Sequence, residues 1–244
     1  MWATIDSSFV AEFIAMEKVD YVCCDQQHGV IDHREVFSMF QAILAGGSIP
    51  ITRVVQNDPG AIMKSLDAGA AGVIVPMVSS KEDARRAGAA FRYSPRGTRS
   101  FGPIRASLIT GSRNPEELAD VACIVMVETV DGVARVDEIA GEPGIDAIYI
   151  GPADLSLALG LPPAFDQPAA AYRDALIKVL SACKRHGVIA GIHCTNGEMA
   201  LSYADMGFRM VTVASDANLL RSAVRREMDI CRPKKSDEIV GGYV

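Results

Sequence analysis

Apolar residues gather in eight short runs along the chain, and between the runs they recur at helical spacing. The runs cover residues 1–5, 20–25, 49–53, 72–76, 123–128, 145–150, 188–193 and 209–213, each of strand length. The segments between them predict eight principal helices at 7–17, 32–44, 58–67, 80–91, 130–139, 168–186, 197–206 and 218–231. Start and stop signals agree with that division. Asp32, Asp58 and Ser80 sit where N-caps belong, and Pro59 takes the first helical position after Asp58. Gly46-Gly47, Gly69 and Gly187 stand where helices end. A short helix with an Asn-Pro start is expected at 114–119, and residues 92–105, rich in Arg, Gly, Ser and Pro, read as a long ordered loop.

Strands that alternate with helices pair in parallel, and eight such units predict a single closed (β/α)8 TIM barrel. The length of 244 residues suits one barrel domain over 1–232 and a polar C-terminal tail over 233–244. A doubly wound open sheet is the alternative architecture. It calls for a Gly-rich phosphate loop after the first strand, and Asp6-Ser7-Ser8 is not one.

Composition narrows the partners. Hydrophobic residues make up 49% and charged residues 22% of the chain, enough for a large core in a soluble protein. The net charge of -6 with no basic cluster argues against a nucleic-acid partner. No apolar run is long enough to span a membrane, and the N-terminus lacks the look of a signal peptide, so a cytoplasmic location is expected. Cys23, Cys24, Cys123 and Cys194 lie in or beside apolar runs and read as buried small hydrophobes in a reducing cytosol.

The candidate chemistry centres on Ile148-Tyr-Ile-Gly151-Pro-Ala-Asp154-Leu-Ser156. A strand, a tight turn and a helix start leave backbone N–H groups free for an anion, here those of Ala153 and Asp154. The carboxylate of Asp154 contradicts anion binding unless a cation bridges it to the ligand. In a barrel the functional groups stand at the C-terminal ends of strands. That rule gathers His28 after strand two, Arg53 ending strand three, Glu128 ending strand five, Asp154 after strand six and His193 ending strand seven. Plainer readings stand beside these. Asp154 and Glu128 also read as caps of the following helices, Arg53 as a partner of Asp25 or Asp58, His28 as structural, and His193 as pocket wall or core. Met126, two residues before Glu128, shares its strand face and is expected in the pocket floor.

None of the lysines, Lys18, Lys64, Lys81, Lys178, Lys184, Lys234 and Lys235, ends a strand, so a Schiff base is not expected. Two carboxylates with open positions suit a hard divalent ion, Mg2+ or Mn2+. A 2-oxoacid then chelates the ion, Arg53 shares the charge of the enolate, and His28 moves protons.

These residues bring a family into view. The chain resembles the HpcH/HpaI aldolase/citrate lyase family, the metal-dependent (class II) pyruvate aldolases acting on 4-hydroxy-2-oxoacids. The matching segments are Asp25-Gln-Gln-His28-Gly, Ile51-Thr-Arg53, Asn57-Asp58-Pro59, Val75-Pro76-Met77-Val78, Arg92-Tyr93-Ser-Pro95 with Gly97 and Arg99, Val127-Glu128-Thr129 and Ile150-Gly-Pro-Ala-Asp-Leu-Ser156. The resemblance implies a barrel of the phosphoenolpyruvate/pyruvate-domain type. It implies His28 as proton acceptor, Arg53 as transition-state stabiliser, and Glu128 and Asp154 as ligands of Mg2+, Mn2+ or Co2+. It also implies that Asp67 raises the basicity of the histidine; read from the residues alone, Asp67 is a solvated helix end. The implied substrates are pyruvate with an aldehyde, or a 4-hydroxy-2-oxoacid. The implied assembly is a homo-hexamer, a trimer of dimers with the last helix exchanged between subunits.

The chain departs from the pattern twice: Met126 replaces a Gln that helps hold the pyruvyl group, and Gln27 replaces a Glu beside the histidine. Two rival functions are an oxaloacetate decarboxylase or other carbon–carbon lyase sharing the enolate, and a barrel retained only for assembly or ligand binding.

Overall fold

The computed structural model describes residues 1–232; the expected tail at 233–244 lies outside them. Eight strands run in the order of the sequence: β1 (Trp2–Ala3), β2 (Tyr21–Asp25), β3 (Ile49–Arg53), β4 (Gly72–Val75), β5 (Ala122–Val127), β6 (Ala147–Ile150), β7 (Ile189–His193) and β8 (Met210–Thr212). Each pairs in parallel with the next. The seam between β8 and β1 is held by the Trp2 N–H donating to the Ala214 carbonyl at 3.0 Å, within a single bridge between Trp2 and Ser215. Asp216 secures it: its carboxylate accepts from the N–H groups of Thr4 and Ile5 and from the Thr4 hydroxyl at 2.7 Å. Nothing in the sequence pattern marks Asp216 for this work, because its partners lie more than 200 positions away.

The helices are α1 (Ser8–Met16), α2 (His33–Ala45), α3 (Pro59–Asp67), α4 (Lys81–Phe91), α5 (Ile104–Thr110), α6 (Pro115–Leu118), α7 (Val130–Ala134), α8 (Val136–Ala140), α9 (Pro152–Ala158), α10 (Ala170–His186), α11 (Gly197–Met206) and α12 (Asp216–Cys231). The caps form as expected. Side chains of Asp32, Asp58, Ser80 and Asn114 accept from the first turns of α2, α3, α4 and α6, each worth about 0.5–2 kcal/mol. Two expectations are corrected. The segment 130–139 is two short helices, because the chain leaves helical geometry at Arg135. The loop at 92–105 gives way to a helix at Ile104, whose N-cap, Pro103, offers no capping side chain. The excursion from Arg92 to the start of β5 lies at the N-terminal end of the barrel, where α4 has returned.

Strand alternation divides the core into two layers. One set of side chains packs between sheet and helices, from Val22, Cys24 and Val73 to Ile148 and Ile192. The other fills the barrel interior: Trp2, Cys23, Ile51, Ile74, Ile124, Met126, Ala147 and Tyr149. Trp2 stacks on Tyr149 with centroids 5.7 Å apart, which closes the interior below the C-terminal mouth. Among the described residues no helix is long and apolar enough to cross a membrane. Cys23, Cys24, Cys123, Cys183 and Cys194 are buried free thiols.

Candidate active site

A cavity of about 230 Å3 opens at the C-terminal mouth. Residues that end or follow seven of the eight strands line it: Thr4, Asp25, His28, Arg53, Glu128, Gly151 to Asp154, His193, Ser215 and Asn218, with Trp2 and Met126 below and Phe165 at the side. A wider cleft, about 880 Å3, lies in the excursion between Tyr93–Arg96 and Asn114–Asp120. It gathers none of the strand-end groups, so the smaller cavity is the candidate.

Register builds the first part of the site. Asp25 and Arg53 are partners across β2 and β3. Their side chains form a two-pronged ion pair, Nε to Oδ1 at 2.9 Å and Nη2 to Oδ2 at 2.6 Å. Both are buried, at 1% and 8% exposure. Burial pushes the Asp25 carboxyl up, but hydrogen bonds and charge from Arg53 outweigh it and hold the group below the usual carboxylate range. Burial likewise opposes the Arg53 charge, and Asp25 outweighs it in turn. Of the plainer readings of Arg53, pairing with Asp25 is therefore the one observed. The pair occupies Nε and Nη2 and leaves Nη1, 3.9 Å from the Met126 sulfur. The guanidinium carbon also lies 5.1 Å from the centre of the Trp2 ring. Met126 is in the floor as expected.

Glu128 follows β5 and is 2% exposed. Its Oε1 accepts the Met77 N–H at 2.8 Å, while its buried Oε2 has no partner among the described residues. Met77 reaches that position with a φ of 58, a left-handed backbone that costs a non-glycine residue about 1–2 kcal/mol. Burial raises the Glu128 pKa to about 6, the Met77 N–H lowers it, the Asp154 carboxylate raises it, and Arg53 lowers it. Gly151 makes the space: a Cβ there would stand 2.2 Å from Oε2. Neither carboxylate is a helix cap. Thr129 caps α7, and α9 begins at Gly151 with no side-chain cap, so the N–H groups of Ala153 and Asp154 are left open. Asp154 lies in the first turn of α9 and is exposed.

His28 is exposed in the turn that follows β2, and its N–H donates to Asp25 Oδ1 at 3.3 Å. His193 forms wall: its ring meets Trp2 edge-on at 4.9 Å between centroids and Phe165 at 5.5 Å. Burial, then Arg53, push its pKa down to about 4, so the ring is neutral near pH 7. Asp67 is not brought to this cavity. It closes α3 at the far end of the barrel, where its carboxylate takes Arg99 Nη2 at 2.7 Å. Within one protomer the carboxylate beside the His28 turn is that of Asp25. Sequence reasoning missed Trp2, Phe165, Ser215 and Asn218 as lining residues; only the fold collects them.

The donor set fits a hard divalent cation with an open coordination shell. The observation that carries the fit is Oε2 of Glu128, a buried carboxylate oxygen without a partner, in a cavity shared with Asp154. Among the described residues no group of three or more His, Cys, Asp or Glu is placed to hold a metal, so water and substrate would complete the shell of this pair.

Residues 1–223 match the family model of the HpcH/HpaI aldolase/citrate lyases. The chain is 40% identical to a hydroxypyruvate/pyruvate aldolase of Rhizorhabdus wittichii, over 92% of this chain and 90% of the relative. It is 34% identical to a 2-dehydro-3,6-dideoxy-6-sulfogluconate aldolase of Pseudomonas putida, over 98% and 94%. Among solved structures, an HpcH/HpaI aldolase/citrate lyase family protein of Burkholderia cenocepacia superposes with a TM-score of 0.87 at 34% identity, covering 96% of this chain and 93% of that one.

Proposed function

The chain belongs to the HpcH/HpaI aldolase/citrate lyase family, and from that premise we propose that it is a class II pyruvate aldolase, a carbon–carbon lyase that reversibly cleaves 4-hydroxy-2-oxoacids to pyruvate and an aldehyde. The partnerless Oε2 of Glu128, buried beside Asp154, carries this reading. Glu128 and Asp154 would hold a divalent cation, Mg2+, Mn2+ or Co2+. When bound, that ion supplies positive charge against the negative charge that develops on the oxoacid's keto oxygen.

The remaining roles fall to the chain's own residues. The open N–H groups of Ala153 and Asp154 receive the substrate carboxylate. Arg53 is held by Asp25 with Nη1 left over, so its charge is fixed before the substrate arrives. In the cleavage direction the bond between C3 and C4 breaks, the C4 hydroxyl gives up its proton, and C3 is then protonated. His28, exposed at the mouth, moves these protons directly or through a water. Asp67 takes no part in this scheme within the protomer; it neutralises Arg99. The test is pyruvate release from a 4-hydroxy-2-oxoacid. EDTA is expected to abolish it, and Mg2+, Mn2+ or Co2+ to restore it. Full activity in EDTA, or borohydride trapping of pyruvate on a lysine, would overturn the scheme.

The same reading extends to assembly. Most of α12 stands off its own barrel: Leu220, Val224 and Ile230 are 59%, 53% and 74% exposed. Phe9, Phe13 and Met16 of α1 are exposed too, on the helix beside the β8–β1 seam. Two unsatisfied apolar surfaces on one chain suit exchange of α12 with a second copy, within a homo-hexamer built as a trimer of dimers. A monomer mass by light scattering at micromolar concentration would sink this. The buried free thiols suit a reducing, cytoplasmic setting.

A further inference from the structure

The carboxylate that carries the scheme above is aimed from outside the cavity. Oε1 of Glu128 is taken by the Met77 N–H at 2.8 Å, which leaves the partnerless Oε2 turned toward Gly151. That N–H comes from a stretch of backbone that does not hold its shape by itself. Pro76 has no N–H to carry the β4 ladder onward. Met77 then takes a φ of 58, a left-handed conformation that brings Cβ too close to the following carbonyl oxygen. Its side chain is 54% exposed, so packing does not hold it there. Contacts on its C-terminal side do. The Val78 N–H donates to the Met126 carbonyl at 3.0 Å. The Ser79 N–H donates to Asp83 of α4, and the Ser79 hydroxyl meets the Thr129 hydroxyl at 2.6 Å. Thr129 directly follows Glu128, and its oxygen accepts the Gly132 N–H at 3.0 Å, which fixes it on the first turn of α7. Gly132 lets loop and helix close up: a Cβ there would stand 3.0 Å from the Val78 carbonyl oxygen and 3.1 Å from the Thr129 hydroxyl.

We propose that Ser79 and Thr129 are positioning residues for the divalent cation: their paired hydroxyls latch Met77 into its strained conformation and so keep the Glu128 carboxylate aimed at the ion. This rests on the aldolase reading, in which Glu128 and Asp154 hold that ion. Neither Ser79 nor Thr129 lines the cavity, so both act through the Met77 N–H. The next residue, Ser80, does a different job: its hydroxyl bonds Asp83 within the cap of α4. With the latch open, the strain at Met77 relaxes, its N–H leaves Oε1, and the carboxylate is free to turn. The ion must then order on arrival a ligand that the latch would have ordered beforehand, and its affinity falls.

Mn2+ titration calorimetry on the full chain, with melting curves in EDTA alongside, separates the latch from ordinary stability. Ser79→Ala opens the latch and leaves the α7 cap in place; it should bind Mn2+ about tenfold more weakly than wild type. Thr129→Ala should lose affinity likewise, and Thr129→Ser, which keeps the hydroxyl, should recover most of it. Ser80→Ala removes a cap on the same loop and should lower the melting temperature while Mn2+ affinity stays at the wild-type value. Met77→Gly relieves the strain directly, since glycine reaches a φ of 58 without a clash. Added to Ser79→Ala, it should restore most of the affinity. Wild-type affinity in Ser79→Ala, an equal loss in Ser80→Ala, or no recovery with Thr129→Ser or Met77→Gly would overturn the latch. A wild type that binds no Mn2+ would instead sink the metal-holding reading beneath it.

Discussion

Replacing Glu128 with Gln should make the metal-free protein more stable at neutral pH, although it removes a residue of the site. The Glu128 pKa is raised from 4.5 to about 6 in the fold. Each unit corresponds to about 1.4 kcal/mol, so the ionised carboxylate costs the fold about 2 kcal/mol. The sign follows from proton binding. Between pH 4.5 and about 6 the native state holds more proton than the unfolded chain, so stability falls as pH rises through that window. Below it both states are protonated and the cost vanishes; above it the cost is complete. Gln keeps an oxygen for the Met77 N–H, now 2.8 Å from Oε1, and carries no charge. In EDTA at pH 7.5, Glu128→Gln is therefore expected to melt about 4–8 °C above wild type, given about 2–4 °C per kcal/mol for a chain of this length. At pH 4.5 the gap should shrink to about 1 °C. His193, pushed down to about 4, loses stability toward acid in both proteins and cancels in the difference. Mg2+ should raise the melting temperature of wild type and leave the variant unmoved. Melting curves by circular dichroism at the two pH values read all of this. A variant less stable than wild type at pH 7.5, or a gap independent of pH, would refute the reasoning.

Three further outcomes are expected. Gly151→Ala places a Cβ 2.2 Å from Oε2 and must turn the Glu128 carboxylate aside, so Mn2+ titration calorimetry should show weakened binding in a folded protein. Arg53→Lys cannot reproduce the two-pronged pair with Asp25, and should lose about 100-fold or more in cleavage rate while the Mg2+-dependent rise in melting temperature persists. Asp67→Asn leaves the fully buried Arg99 side chain without its counter-charge; thermal melts should show destabilisation of about 3–5 kcal/mol, with cleavage per folded molecule nearly unchanged.

What the sequence disclosed follows the range of the forces involved. Strands and most helices were legible because a cap such as Asp58 or Ser80 acts on N–H groups three residues away. The strand-end rule then brought His28, Arg53, Glu128 and Asp154 to one mouth without any distance being known. The helix at Ile104 was hidden behind a Pro-Gly-Ser-rich approach and an uncapped start. The break at Arg135 leaves the apolar spacing of its segment intact, so periodicity alone joins α7 to α8. The partner of Asp67 within the protomer, Arg99, was not legible, because it comes from an excursion that spacing does not place. The aromatic wall of Trp2, Phe165 and His193 arises from three distant segments, and only barrel closure brings them into contact.

The central claim is that this cavity forms the enolate of pyruvate with Glu128 and Asp154 holding a divalent ion and His28 moving the proton. Proton NMR of pyruvate in D2O observes that step with no aldehyde present. Wild type with Mg2+ should exchange the methyl protons, EDTA or Asp154→Asn should stop the exchange, and His28→Ala should slow it by about 100-fold or more while the Mg2+-dependent rise in melting temperature remains. Exchange at the wild-type rate in EDTA, or in His28→Ala, would contradict the account.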